Sequence, residues 1–202
     1  MCIRDRLHTN ESDLNEQKYS SVFTGKESFL IDHKVREEKV LPGVAYLELA
    51  REAGFRSIHQ PITQLKDVSW LSPIRVNDNA QKIQISLHPS GEAIAYEIYS
   101  EQGEEVQIHS QGKLGTITQP IPPQQNIAVI QSRLHQSKNK EQCYTLFKDM
   151  GLQYGTSFQG IETLYYNQEE ALSKIHLPKE ENYILQPGIL DSACLLYTSR
   201  CV

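Results

Sequence analysis

Two stretches of this 202-residue chain set an ionisable side chain close to a Pro-Gly pair that opens an apolar run. The first is Asp32-His33, followed by Pro42-Gly43-Val44-Ala45. The second is Gln186-Pro187-Gly188-Ile189-Leu190-Asp191. An imidazole changes charge near neutral pH and suits a general base. A carboxyl kept out of water holds its proton and suits a general acid. The start of a helix adds a third tool, because its first backbone N–H groups lack partners and can polarise a carbonyl oxygen. Other chemistries lack their residues. The chain has no His-Glu-x-x-His, no paired Cys-x-x-Cys, no Gly-rich phosphate loop and no Gly-x-Ser-x-Gly.

The run 44–53 that must carry the first pair repeats apolar Val44, Leu47 and Ala50 at helical spacing, joined by Ala45 and Leu49, and Gly54 can end it. Short strands are expected at 19–23 and 28–30. Further strands are expected at 62–71, 82–87, 94–99 and 106–117, with turns at His88-Pro89-Ser90-Gly91 and Gln102-Gly103. A largely apolar helix needs cover on most sides, so the hairpin strands should wrap it, an α+β unit. Pro120, Pro122 and Pro123 mark a linker, set at 119–128. A second unit then repeats the plan. It has an amphipathic helix at 141–150 with Tyr144, Phe147 and Met150 at i, i+3, i+6, paired strands at 158–166 and 171–177, and the second Pro-Gly run. The expected division is 7–118, linker 119–128, and 129–193 as a second copy cut short.

The balance of 20 basic and 25 acidic residues, net −5, argues against nucleic acid as the main partner. No apolar stretch is long enough to span a membrane. Residues 1–6 and 194–202 back-translate to the two strands of one sequence, the mosaic end of a transposase library adapter. Both are read as adapter-derived and set aside, so the chain is expected to be a piece of a longer protein. Of the four cysteines only Cys143 lies outside these ends, which leaves no disulfide framework. Beside Tyr144 in a helical run, it reads as buried and inert. Trp70, Tyr96 and Tyr99 read as core or as the lining of a substrate tunnel. His109 and His176 have no spacing that recommends them.

The stretch from Asp32 to Glu48 resembles the dehydratase domain of modular polyketide synthases, whose first motif is His-x-x-x-Gly-x-x-x-x-Pro. His33 and Pro42 match it, and Glu37 stands where the family has Gly. A second family motif, Gly-Tyr-x-Tyr-Gly-Pro-x-Phe, is matched by Gly151, Tyr154, Gly155 and Phe158, with Leu152 and Thr156 as departures. A third, Asp-x-x-x-Gln/His, is matched at Asp191. Its last position falls on Leu195, inside the adapter-derived end. The manner also resembles bacterial synthases whose acyltransferases act in trans.

The resemblance implies a double hotdog, in which an antiparallel sheet wraps a central helix and the unit is duplicated. It implies a hydro-lyase that dehydrates a 3-hydroxyacyl thioester to the 2,3-enoyl thioester, with His33 as base and Asp191 as acid. Tyr154 would bond the departing hydroxyl or position Asp191. Pro42 sets the turn before Gly43, whose N–H would polarise the thioester oxygen, and Gly155 and Phe158 join the substrate-binding set. The implied partners are an acyl carrier protein, whose phosphopantetheine arm bears the substrate, neighbouring synthase domains and a second copy in a homodimer. No separate cofactor or metal is expected, and the implied setting is cytoplasmic. Two alternatives stand beside this. One is a pyran-forming or double-bond-shifting relative, against which Pro42 and Asp191 speak in the shifting case. The other is a non-catalytic structural or docking domain, which Glu37 keeps open.

Overall fold

The computed structural model describes residues 7–77, 79–117, 120–178 and 183–200. Residues 1–6, 78, 118–119, 179–182 and 201–202 lie outside the described residues.

The first half contains β1 (Thr9–Asn10), β2 (Gln17–Phe23), α1 (Ser28–Ile31), β3 (His33–Val35), β4 (Glu38–Lys39) and α2 (Gly43–Ile58). It continues with β5 (Gln64–Trp70), β6 (Gln81–Ser90), β7 (Ala93–Gln102) and β8 (Glu105–Gly115). Six strands form an antiparallel sheet in the order β1-β2-β6-β7-β8-β5. Its inner face, with Ile83, Ile85, Leu87, Tyr96, Ile98 and Leu114, shares one core with Tyr46, Leu49, Ala50 and Ala53 of α2. The fold is therefore the expected α+β hotdog, with the sheet wrapped around α2.

Three local expectations change. The stretch 28–30 is helical, not a strand: the N–H groups of Leu30 and Ile31 both donate to the Glu27 carbonyl, and Phe29 and Leu30 are both buried. The helix α2 does not end at Gly54 but runs to Ile58, where His59 caps it with φ 53°. Gly54 serves close approach instead, since a Cβ there would lie 2.7 Å from Leu114 and 2.9 Å from Ile62. The His88–Gly91 turn shortens, because β6 continues to Ser90 and the chain reverses at Gly91.

The second half contains α3 (Ile127–Gln131), β9 (Gln136–Asn139), α4 (Lys140–Asp149), β10 (Leu152–Tyr154), a 3-10 turn (Thr156–Phe158), β11 (Ile161–Tyr166), β12 (Ala171–Ile175) and α5 (Pro187–Arg200). Its sheet runs β12-β11-β9. The short helix α3 starts inside the expected linker, with Asn126 accepting from the Val129 N–H. A reciprocal Asn139–Gln142 capping box starts α4. The buried face of α4 is Cys143 and Phe147, packed against Ile161, Leu164 and Leu195, while Met150 is exposed. The strand expected at 158–166 begins only at Ile161, because the 3-10 turn takes Thr156–Phe158.

A third sheet, in the order β10-β3-β4, crosses between the halves. Its register sets Tyr154 directly opposite His33. Among the described residues, no helix is long and apolar enough to cross a membrane.

Candidate active site

His33 opens β3, a strand held on both edges. On one edge a two-residue turn leads to β4, with Arg36 and Glu37 at φ 50° and 69°. Positive φ at both central residues is the type I′ hairpin that matches strand twist. The other edge is β10. The His33 side chain is buried, and its Nδ1 lies 2.8 Å from the Val40 carbonyl. A carbonyl can only accept, so the neutral ring carries its proton on Nδ1 and leaves the Nε2 lone pair free. Burial, opposed in part by the Val40 bond, holds the imidazole below its ordinary 6.5.

Asp191 enters from α5. Its Oδ1 lies 3.8 Å from His33 Nε2, beyond hydrogen-bond reach. Its Oδ2 is buried and has no hydrogen-bond partner. Desolvation of such a carboxylate is costly, and burial pushes the group up to about 6. The Tyr154 phenol faces the same carboxyl, outside formed hydrogen-bond geometry but close enough to interact. Burial and the Asp191 charge raise its proton affinity well above the ordinary 10, so it stays a donor. The rings of Tyr154 and Phe158 each stand 5.3 Å from the His33 ring and form an aromatic wall beside the pair.

The second motif is locked to the first by Asp32. Its carboxylate accepts from the Ser157 N–H at 3.1 Å and the Ser157 hydroxyl at 2.7 Å, and its carbonyl accepts from the Gly155 N–H at 2.8 Å. Gly155 is extended, not left-handed; a Cβ there would strike the Asp32 carboxylate. Gly155 thus acts by permitting this approach. Pro42 takes the N-cap position of α2 without a side-chain cap, which leaves the helix start to whatever lies in front of it. In front lies an open pocket of about 310 Å³, lined by His33, Val40, Gly43, Tyr46, Trp70 and Leu71. Trp70 is half exposed at its edge and donates from Nε1 to the Gly43 carbonyl at 2.8 Å. Tyr154 also lines a broader groove of about 830 Å³, with Tyr144, Leu152 and Gln153.

The structure thus brings His33, Asp191, Tyr154 and Phe158 together, with Gly43 on the adjoining pocket, Pro42 at the helix cap just before it, and Gly155 behind. Of the aromatic residues left open between core and lining, Tyr96 and Tyr99 are buried and Trp70 is pocket wall. His109 is buried between the Ser100 hydroxyl, 2.9 Å from Nε2, and the Ser72 carbonyl, 3.2 Å from Nδ1. Cys143 is buried, and burial pushes its thiol up. Sequence reasoning missed the Asp32–Ser157 clamp and the buried Glu48 of α2. The only signal for either was a charged residue beside a motif or inside an apolar helix.

Residues 6–101 match the family described as polyketide synthase dehydratase domain, and residues 122–196 match the polyketide synthase dehydratase N-terminal domain. The chain is 39% identical over 202 residues to polyketide synthase PksM of Bacillus subtilis strain 168, covering 93% of this chain and 5% of that protein. It superposes on the crystal structure of a trans-AT PKS dehydratase domain from Brevibacillus brevis with a TM-score of 0.91. The two are 37% identical, and the match covers 97% of this chain and 74% of that one. Two inactive mutants of the CurK dehydratase are also similar, one with Asp replaced by Asn and one with His replaced by Phe. Their TM-scores are 0.80 and 0.83 at 25% identity, covering 96% and 98% of this chain and 73% and 75% of theirs.

Proposed function

The chain belongs to the polyketide synthase dehydratase domains, and we propose that it dehydrates a 3-hydroxyacyl thioester borne on the phosphopantetheine arm of an acyl carrier protein. The observation that carries this reading is the 3.8 Å gap between a free His33 Nε2 and an Asp191 carboxyl pushed up to about 6. The inactive Asp-to-Asn and His-to-Phe mutants of the CurK dehydratase support an acid and base of these types.

In this reading His33 Nε2 takes the C2 proton. The C–H electron pair moves onto the thioester as an enolate, then forms the C2–C3 double bond as the C3–O bond breaks. Asp191 gives its proton to the leaving hydroxyl, which departs as water. The two groups stand side by side, so they reach neighbouring carbons from one face. Return of the proton from the imidazolium to the Asp191 carboxylate restores both groups. The Gly43 N–H bears the charge that builds on the thioester oxygen, and the Tyr154 phenol steadies Asp191 or the departing hydroxyl. Glu37 does not speak against catalysis: its exposed side chain accepts from Gln153 Nε2 at the hairpin turn, away from the dyad.

The finer assignments belong to the same proposal. We read 7–118 as the first hotdog, 119–128 as linker and 129–193 as part of the second. The chain spans 5% of PksM, so the carrier protein, neighbouring catalytic domains, a homodimer and a cytoplasmic setting are read through membership of such a synthase. The test is turnover of a carrier-bound 3-hydroxybutyryl thioester by the synthase that contains this domain, read by mass. Loss of 18 Da (about one water, by the reaction's stoichiometry) is expected. An unchanged substrate mass, with the domain folded, would leave only a docking role.

A further inference from the structure

Glu48 is fully buried midway along the otherwise apolar start of α2. A carboxylate in such a place is costly unless every lone pair is used. Arg51 engages it on both oxygens, Nε to Oε2 at 2.8 Å and Nη2 to Oε1 at 3.0 Å. The same oxygens also accept from the backbone of a distant segment: the Leu185 N–H donates to Oε2 at 3.0 Å and the Ile184 N–H to Oε1 at 3.4 Å. Arg51 is itself held by Glu52 at 2.9 Å, and Glu52 by Arg56 at 2.7 Å.

Leu185 stands two residues before Pro187, where α5 begins, and Asp191 is one helical turn further on. A helix pinned just before its first turn carries the side chains of that end with it. The same α2 follows directly on Val40, which orients His33, and on Pro42. Both ends of the dyad are therefore referred to one rigid element. We infer that Glu48 is a positioning residue that holds the start of α5 and so sets Asp191 opposite His33. This rests on the dehydratase reading of Asp191. It follows that Glu48 acts on expulsion of the C3 hydroxyl and not on removal of the C2 proton.

The experiment is Glu48→Gln in the intact synthase, assayed on a carrier-bound 3-hydroxybutyryl thioester for alkene formation and, separately, for solvent isotope exchange at C2. The amide nitrogen presents N–H to groups that are themselves donors, so one of the two acceptor positions and the charge are lost and the anchor is weakened while the volume is kept. A displacement of this kind should lower kcat for alkene formation about a hundredfold, with KM and C2 exchange within twofold of wild type. Leu185→Pro, which removes the shorter of the two donated N–H bonds and leaves the Glu48–Arg51 pair intact, should show the same split, and it decides the matter if Glu48→Gln does not fold. Equal losses of exchange and alkene formation, or wild-type kcat, would overturn the inference. A wild-type enzyme that exchanges at C2 but never forms alkene would instead overturn the dehydratase reading.

Discussion

His33 and Asp191 are moved from their ordinary ionisation in opposite directions by one cause, the burial they share. For Asp191 the folded value of about 6 lies above the ordinary 3.8, so the folded state binds this proton more tightly than the unfolded chain. The stability this contributes is complete below pH 3.8 and is lost as pH rises through about 6. For His33 the folded value lies below 6.5, so stability falls as pH drops below that value and the unfolded chain takes up the proton. Asn does not titrate. Asp191→Asn should therefore match wild type in unfolding stability at pH 3 and exceed it at pH 7, by as much as about 3 kcal/mol. Equal denaturation midpoints at pH 7 would mean that the carboxylate is better solvated than the orphaned Oδ2 implies. At this scale the sequence was informative, because the motifs name the titrating residues. It could not supply the Val40 bond that fixes the His33 tautomer, since that bond depends on how β3 and β4 fold back.

At the scale of elements, the β3–β4 hairpin shows what a departure from a family pattern costs. Glu37 sits at φ 69°, a region where a Cβ is strained and glycine is not. Glu37→Gly should raise unfolding stability by about 1 kcal/mol, measured by chemical denaturation, and leave kcat unchanged because the side chain is exposed and outside the dyad. An activity that appears only with Gly would mean that the natural domain is silent. The glycine of the family pattern is the sequence signal for such a left-handed turn. Gly54 misled for the opposite reason. Local rules treat a glycine after a helical run as a stop, but here the neighbouring Leu114 and Ile62 require its bare Cα inside the helix. Residues 28–30 misled likewise, since a single turn bonded to the Glu27 carbonyl leaves no periodicity to read.

Across the whole molecule, the site exists only where residues far apart in sequence meet. Among the described residues, the connections that hold the halves in register include the β3–β10 pairing, the Asp32 clamp on Ser157, and the backbone of 184–185 on Glu48. None leaves a trace in local pattern, which is why the motifs were readable and their juxtaposition was not. The exposed segment 120–126 joins the halves without helping to align them. Doubling it with Gly and Ser should cost about 0.6 kcal/mol in stability and leave turnover within twofold of wild type. A collapse of activity would mean that the linker, not the packed contacts, sets the geometry.

The most direct measurement separates the two halves of the elimination. In the intact synthase, a carrier-bound 3-hydroxybutyryl thioester is followed for isotope exchange at C2 and for alkene formation with His33→Ala and Asp191→Asn. With His33 as base and Asp191 as acid, His33→Ala loses both activities while the protein stays folded. Asp191→Asn loses alkene formation and keeps exchange, because removing the C2 proton needs only the base and the Gly43 N–H. Wild-type alkene formation by His33→Ala, or exchange lost with Asp191→Asn and kept with His33→Ala, would contradict the assignment.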